Sequence, residues 1–161
     1  MRDSRETLLY LIKAALIAAI YVVLTVVFAP ISFGFMQVRI AEALTILPLF
    51  TSAAIPGLTI GCIIGNLFGG ALIYDVIFGS LATFIGALIA YKLRHNRYLV
   101  PIPSIISNTI IVPFILKYAY GVEVNIFLMM FYIFVGEVIG CFILGEILAS
   151  ALYKHKQLTK N

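Results

Sequence analysis

Apolar runs dominate the chain, and helix-breaking or polar residues divide them into six stretches. Leu8 to Ala29 is the first and is followed directly by Pro30. A polar connection separates it from Ala41 to Ala54, a short stretch interrupted by Pro48. Ile55 to Ile73 follows almost at once, with Pro56 where proline is tolerated, in a first helical turn. Asp75 to Tyr91, Leu99 to Tyr118 and Val124 to Leu152 complete the set. A spanning helix needs about 20 mostly apolar residues. The pattern therefore predicts one all-α integral membrane domain over residues 1–161, with six transmembrane helices and no room for a separate soluble domain. The last run is long enough that it must tilt or emerge at its end.

Composition agrees: 63% of the 161 residues are hydrophobic and 11% charged, against an apolar content of roughly 45–50% in soluble domains. Arg2 and Arg5 ahead of the first run give it the look of a secretory signal, but the run is too long for an h-region and Pro30 stands where cleavage would fall, so it reads as a retained helix. Eleven basic residues against seven acids give a net charge of +4. With six spans and both termini cytoplasmic, the inner segments hold Arg2, Arg5, Lys92, Arg94, Arg97, Lys154, Lys156 and Lys160, as the positive-inside rule requires. Lys13 can snorkel from the inner end of the first helix, which leaves Arg39 and Lys117 toward the outside. The charge thus reports topology in a cell membrane, and its division among three inner segments excludes a nucleic-acid surface. Cys62 and Cys141 stand alone in apolar runs and read as packing residues, not as ligands or a disulfide.

Two small-residue stripes bear on packing. Gly57, Gly61, Gly65 and Gly69 recur every fourth residue, a groove that lets another helix backbone approach closely, read here as internal packing. Ala14, Ala15, Ala18 and Ala19 form two overlapping A-x-x-x-A pairs, suited either to internal packing or to docking on another membrane subunit.

Ionisable groups at membrane depth cost roughly 2.5–3.5 kcal/mol each and face a cavity or a partner. Glu137 is near mid-membrane in the sixth span, Asn108 central in the fifth, Asn66 slightly outside the middle of the third, and Glu42 near the outer face of the second. Asp75, at the outer end between the third and fourth spans, joins these as a pocket residue or else reads as an outer helix cap, and Glu146, near the inner end, reads as solvated or docking. The connection "APISFGFMQVRI" carries Phe33, Phe35, Gln37 and Arg39 on one side if extended. Alternatively, Arg39 and Glu42 are an i, i+3 pair that bridge each other. Together these residues outline an outward-facing pocket for a polar small molecule. Metal and cofactor chemistry finds no motif: both histidines lie in inner polar segments, and there is no phosphate loop, H-E-x-x-H or G-x-S-x-G. The chain reads as a binding subunit that borrows energy from partners, and not as an enzyme.

Six short spans, the alanine pairs, and "FMQVRIAEALTILPLF" followed by "IPGLTIGCIIGNLFGG" resemble the substrate-binding S components of energy-coupling factor transporters, in the queuosine-precursor group called QueT. The resemblance implies an S-component-like bundle that captures a preQ1-like 7-deazaguanine from outside and works with a membrane T component and two ATPase subunits. It implies docking through Ala14 and Ala18 or through Ala15 and Ala19. It also implies a site built from Glu42 and Glu137, with Gln37, Arg39, Asn66 and Asn108 around them and Phe33, Phe35 or Tyr132 as stacking faces. Which acid meets which end of the ligand stays open, as does whether Arg39 touches ligand or only steadies Glu42. Other readings are a different planar vitamin, a purely structural partner-binding protein, and a small membrane enzyme acting on lipid head groups; for the last, the inner loop "KLRHNR" carries no acid.

Overall fold

The structure is a computed structural model that describes residues 2–32 and 37–158, and every regular element among them is helical. Helix α1 (Arg2–Val27) leads through the single turn α2 (Ala29–Ser32) toward a 3₁₀ helix, Ile40–Leu49. Then come α3 (Ala54–Phe68), α4 (Ile73–Lys92), a short 3₁₀ turn Arg97–Leu99, and α5 (Ile102–Tyr118). The last rod is continuous but changes pitch: α6 (Ile126–Glu137), a π-helical segment Val138–Leu144, and α7 (Gly145–Leu158).

Four of these rods are long and apolar enough to cross a membrane: Ser4–Val27, Ile73–Lys92, Arg97–Tyr118 and Ile126–His155. The remaining two apolar helices, Ile40–Leu49 and Ala54–Phe68, are shorter. The expected second span is thus a 3₁₀ helix instead of an α-helix. Its steeper rise of about 2.0 Å per residue carries ten residues roughly 20 Å, where an α-helix would cover about 15 Å. Leu16, Val23, Ile60, Ile77, Ile106, Phe131 and Ile147 are exposed on the outside of the bundle. A surface of this kind, on several different helices, fits a multi-pass membrane protein whose solvent there is lipid.

The glycine groove packs internally. A Cβ on Gly57 would lie 2.8 Å from the Ala14 carbonyl oxygen, one on Gly61 2.7 Å from Tyr21 Cβ, and one on Gly65 3.2 Å from Thr25 Cβ. Small residues are therefore needed where α3 meets α1. The overlapping alanine pairs separate here: Ala14 and Ala18 are buried against α3, whereas Ala15 and Ala19 are exposed. Of the two docking registers, the Ala14 and Ala18 one is closed off because α3 already covers it.

Two apolar clusters hold the bundle. Ile17, Tyr21, Ala41, Leu44, Ala54, Leu58, Cys62 and Ala87 form the central one. Ile46, Ala90, Val100 and Ala149 form a second, toward the end of the bundle where α4 finishes. At that end Arg97 donates to Glu146 Oε2, from Nε at 2.9 Å and also from Nη2, and Nη2 reaches Ser150 Oγ at 3.2 Å. Glu146 is thus ion-paired across 49 residues of sequence, not simply solvated as the sequence suggested, and it supplies the acid missing from the Lys92–Arg97 connection.

Gly61→Val should lose stability by roughly 1–3 kcal/mol, because the new methyl groups enter a filled contact. Thermal unfolding in detergent checks this, with the lipid-facing Leu67→Val, 55% exposed at Leu67, expected to unfold like the parent protein.

Candidate functional site

The end of the bundle opposite the Arg97–Glu146 pair gathers the buried polar groups. Gln37, Arg39, Glu42, Thr45, Asn66, Asp75, Asn108 and Glu137 are all buried, the first two at 5% and 4% exposure. Gln37 has φ 44°, the left-handed region that a residue with a Cβ adopts only when its surroundings impose it.

The 3₁₀ helix sets the wall nearest α1. With three residues per turn, positions i and i+3 eclipse, so Glu42 and Thr45 stack on one face, and the Thr45 hydroxyl donates to the Glu42 carbonyl at 2.6 Å. Tyr21, on the same face of α1 as Ala14 and Ala18, donates its phenol to Glu42 Oε1 at 2.6 Å. The π segment sets the facing wall. Its wider turn places Gly140 and Gly145, five residues apart, both toward the 3₁₀ helix. A Cβ on Gly140 would sit 2.8 Å from the Arg39 carbonyl oxygen, and one on Gly145 3.5 Å from Ile46 Cβ. This approach brings Cys141 between the two acids: its thiol donates to Glu137 Oε2 at 3.1 Å and lies 3.9 Å from Glu42 Oε2. Asn108 Nδ2 of α5 donates to Glu137 Oε1 at 3.0 Å.

A second group lies beside the first. Asp75, in the first turn of α4, is 1% exposed. Its Oδ2 accepts from the Tyr120 hydroxyl at 3.3 Å and lies 3.9 Å from Arg39 Nη2. Tyr120 in turn accepts from the Leu72 backbone N–H at 2.9 Å. Partial burial pushes the Tyr120 phenol above its ordinary range, which keeps it a donor. Asn66 Nδ2 makes long contacts to Cys62 Sγ at 3.5 Å and to the Asp75 carbonyl at 3.4 Å, and Thr83 Oγ1 approaches the same sulfur at 3.4 Å.

Measured against the sequence, the structure brings Arg39, Glu42, Asn66, Asn108 and Glu137 into one buried region. Tyr132 lies on a different face of α6 from Glu137. Five residues before Glu137 on a helix of 3.6 residues per turn, it points about 140° away, half-buried, with its ring tilted against Phe131 at 6.2 Å. Met129, Ile133 and Glu137 share the buried face instead. Phe33 and Phe35 lie outside the described residues. Of the two readings of Asp75 the cap fails: it makes no side-chain cap at the start of α4 and is a buried member of the cluster. Three residues were missed or misread. Cys62 and Cys141 are part of the polar network and not simple packing. Tyr21, a lone phenol at helical spacing from Ala14 and Ala18, was the available signal for a donor to Glu42.

The Cys141 sulfur and one oxygen from each of Glu42 and Glu137 lie within 4.8 Å of one another, a donor set of the type divalent metals accept. Tyr21 and Asn108 each hold one carboxylate oxygen, and the arrangement is a hydrogen-bonded cluster. Chemically it offers desolvated carboxyl and amide oxygens as acceptors.

Comparison with known proteins adds an independent line. A family model described as "QueT transporter" matches residues 11–154. A curated relative from Lactococcus lactis subsp. cremoris (strain MG1363), named "Queuosine precursor transporter QueT", is 36% identical over 94 residues. That alignment covers 55% of this chain and 55% of the relative, so the match spans about half of each. No solved structure matches the chain.

Tyr21→Phe removes the donor to a buried carboxylate and should destabilise the protein by roughly 1–3 kcal/mol. A lowered unfolding midpoint in detergent would register it.

Proposed function

The chain belongs to the QueT transporter family, and from that premise we propose that it is the substrate-binding S component of an energy-coupling factor importer for a queuosine precursor, a preQ1-like 7-deazaguanine. The observation that carries the reading is the pairing of Glu42 and Glu137 around Cys141, with Tyr21 and Asn108 holding one oxygen of each acid. Such a cluster in an apolar chain is costly unless it serves a polar partner.

A 7-deazaguanine presents N–H donors along its Watson–Crick edge, which carboxylates accept best, and a carbonyl oxygen that Arg39, Gln37 or Asn108 would serve. In this reading Glu42 and Glu137 take the donor edge. Arg39 has two duties: its backbone carbonyl seats the π segment, and its guanidinium balances the acids. Phe33 and Phe35 remain the proposed stacking faces.

The same reading places the protein in the plasma membrane with six spans, the two short helices completing the count, and both termini cytoplasmic. Lys92, Arg94 and Arg97 then mark the inner side, and the polar cluster opens outward. Ala15 and Ala19, exposed on α1, are the face proposed to dock the T component, which couples the protein to two ATPase subunits. An enzyme acting on lipid head groups is set aside, since the family is one of transporters.

Calorimetry with purified protein tests the substrate. PreQ1 should bind the parent protein, and Glu42→Gln or Glu137→Gln should weaken it roughly 10- to 100-fold, as expected for losing a charged acceptor. Absence of binding to the parent, or unchanged affinity in both variants, would refute the assignment. Binding of a different planar vitamin in a competition panel would redirect it.

A further inference from the structure

Asp75 carries two oxygens in different circumstances. Tyr120 and Arg39 both approach Oδ2, while Oδ1, equally buried, has no hydrogen-bond partner among the described residues. The neighbouring Asn66 Oδ1 is likewise buried and unpartnered, although Asn66 Nδ2 is engaged. Leaving one buried acceptor unpaired is costly, and leaving an anionic one beside a second is more so. A Cβ on Gly79 would lie 2.9 Å from Asp75 Oδ1 and 3.5 Å from Asn66 Nδ2, so Oδ1 rests against the glycine backbone with the Asn66 amide beside it. Any side chain at Gly79 would press on that oxygen.

A buried, unpaired carboxylate oxygen calls for a donor. An alkylammonium, with three N–H donors and a positive charge, makes a charge-assisted contact there, whereas a neutral hydroxyl makes a weaker one. Glu42 and Glu137 do not compete for this role, since Tyr21, Cys141 and Asn108 already turn their oxygens toward the other group of the cluster.

We propose that Asp75, with Asn66, is a specificity-determining subsite that takes the protonated amine of the substrate, while Glu42 and Glu137 take the donor edge of its ring. The assignment rests on the function proposed above and divides the acids between the two ends of the ligand. Arg39, at 3.9 Å from Oδ2, holds the carboxylate from its far side and leaves Oδ1 to the ligand.

Two probes separate this claim from the wider one: preQ1, and the same 7-deazaguanine with a 7-hydroxymethyl group in place of the aminomethyl. Calorimetry on the parent protein should show the amine bound roughly tenfold or more tighter than the alcohol, as a charge-assisted contact would give. Asp75→Asn should bring the two affinities to within about threefold by weakening the amine alone, since the neutral amide loses the charge-assisted part of the contact. Gly79→Ala, whose methyl carbon would fall 2.9 Å from Oδ1 and so displaces the Asp75 side chain without removing the acid, should narrow the preference in the same direction and serves if Asp75→Asn does not fold. Equal affinities in the parent, an undiminished amine preference in the variants, or an equal loss for both probes would overturn the subsite while leaving the transporter reading intact. Binding of neither probe to the folded parent would overturn that reading and the subsite with it.

Discussion

A carboxylate removed from water in apolar surroundings must be met by donors, and the arrangement of this bundle follows from that requirement. Glu42 and Glu137 come from helices almost a hundred residues apart, and neither is tolerable alone when buried. Tyr21, Asn108 and Cys141 meet them from three further positions, so the site binds together α1, the 3₁₀ helix, α5 and the α6–π–α7 rod. The elements that the apolar clusters hold together are largely the ones the acids need. On the proposed function, recognition and stability are, at this point in the molecule, the same set of contacts.

Meeting the acids depends on backbones coming closer than ordinary side chains allow. Gly57, Gly61 and Gly65 let α3 press on α1, which fixes Tyr21 above Glu42. Gly140 lets the π segment press on the Arg39 carbonyl, which fixes Cys141 between Glu42 and Glu137. The departures from regular α-helix fall beside the acids for a reason. A 3₁₀ turn stacks Glu42 on Thr45, and a π turn re-registers the rod immediately after Glu137. Such irregularities cluster at functional sites because they re-aim side chains that a uniform helix would distribute around its circumference.

Much of the fold could be read along the chain. The apolar runs match the helical rods to within about six residues at each end, since length and helix-breaking residues mark them whatever the tertiary contacts. Counting along those runs set Glu137, Asn108 and Asn66 away from the helix ends, and all three are buried. The helix types did not follow: in "IAEALTILPL" nearly every position is apolar or small, so periods of 3.0 and 3.6 cannot be told apart over ten residues. For Asp75 a cap and a pocket position both stood open, because an acid in a first turn suits the helix dipole, and only Tyr120, arriving from 45 residues away, decides between them. Glu146 was misread for the same reason, its partner Arg97 being distant in sequence. The alanine stripe held both registers open until α3 was seen to cover one of them. In each case the missing information was which element lies opposite, something no local window contains.

The central claim is that the buried acids of this bundle form one recognition site, with Asp75 at one end and Glu42 and Glu137 at the other. An experimental structure determined with preQ1 present measures it most directly. The account predicts ligand density bridging the two groups, with its ring edge within hydrogen-bonding distance of Glu42 or Glu137 and its amine nitrogen on Asp75. Density lying elsewhere on the protein, with these acids contacting only one another, would contradict it.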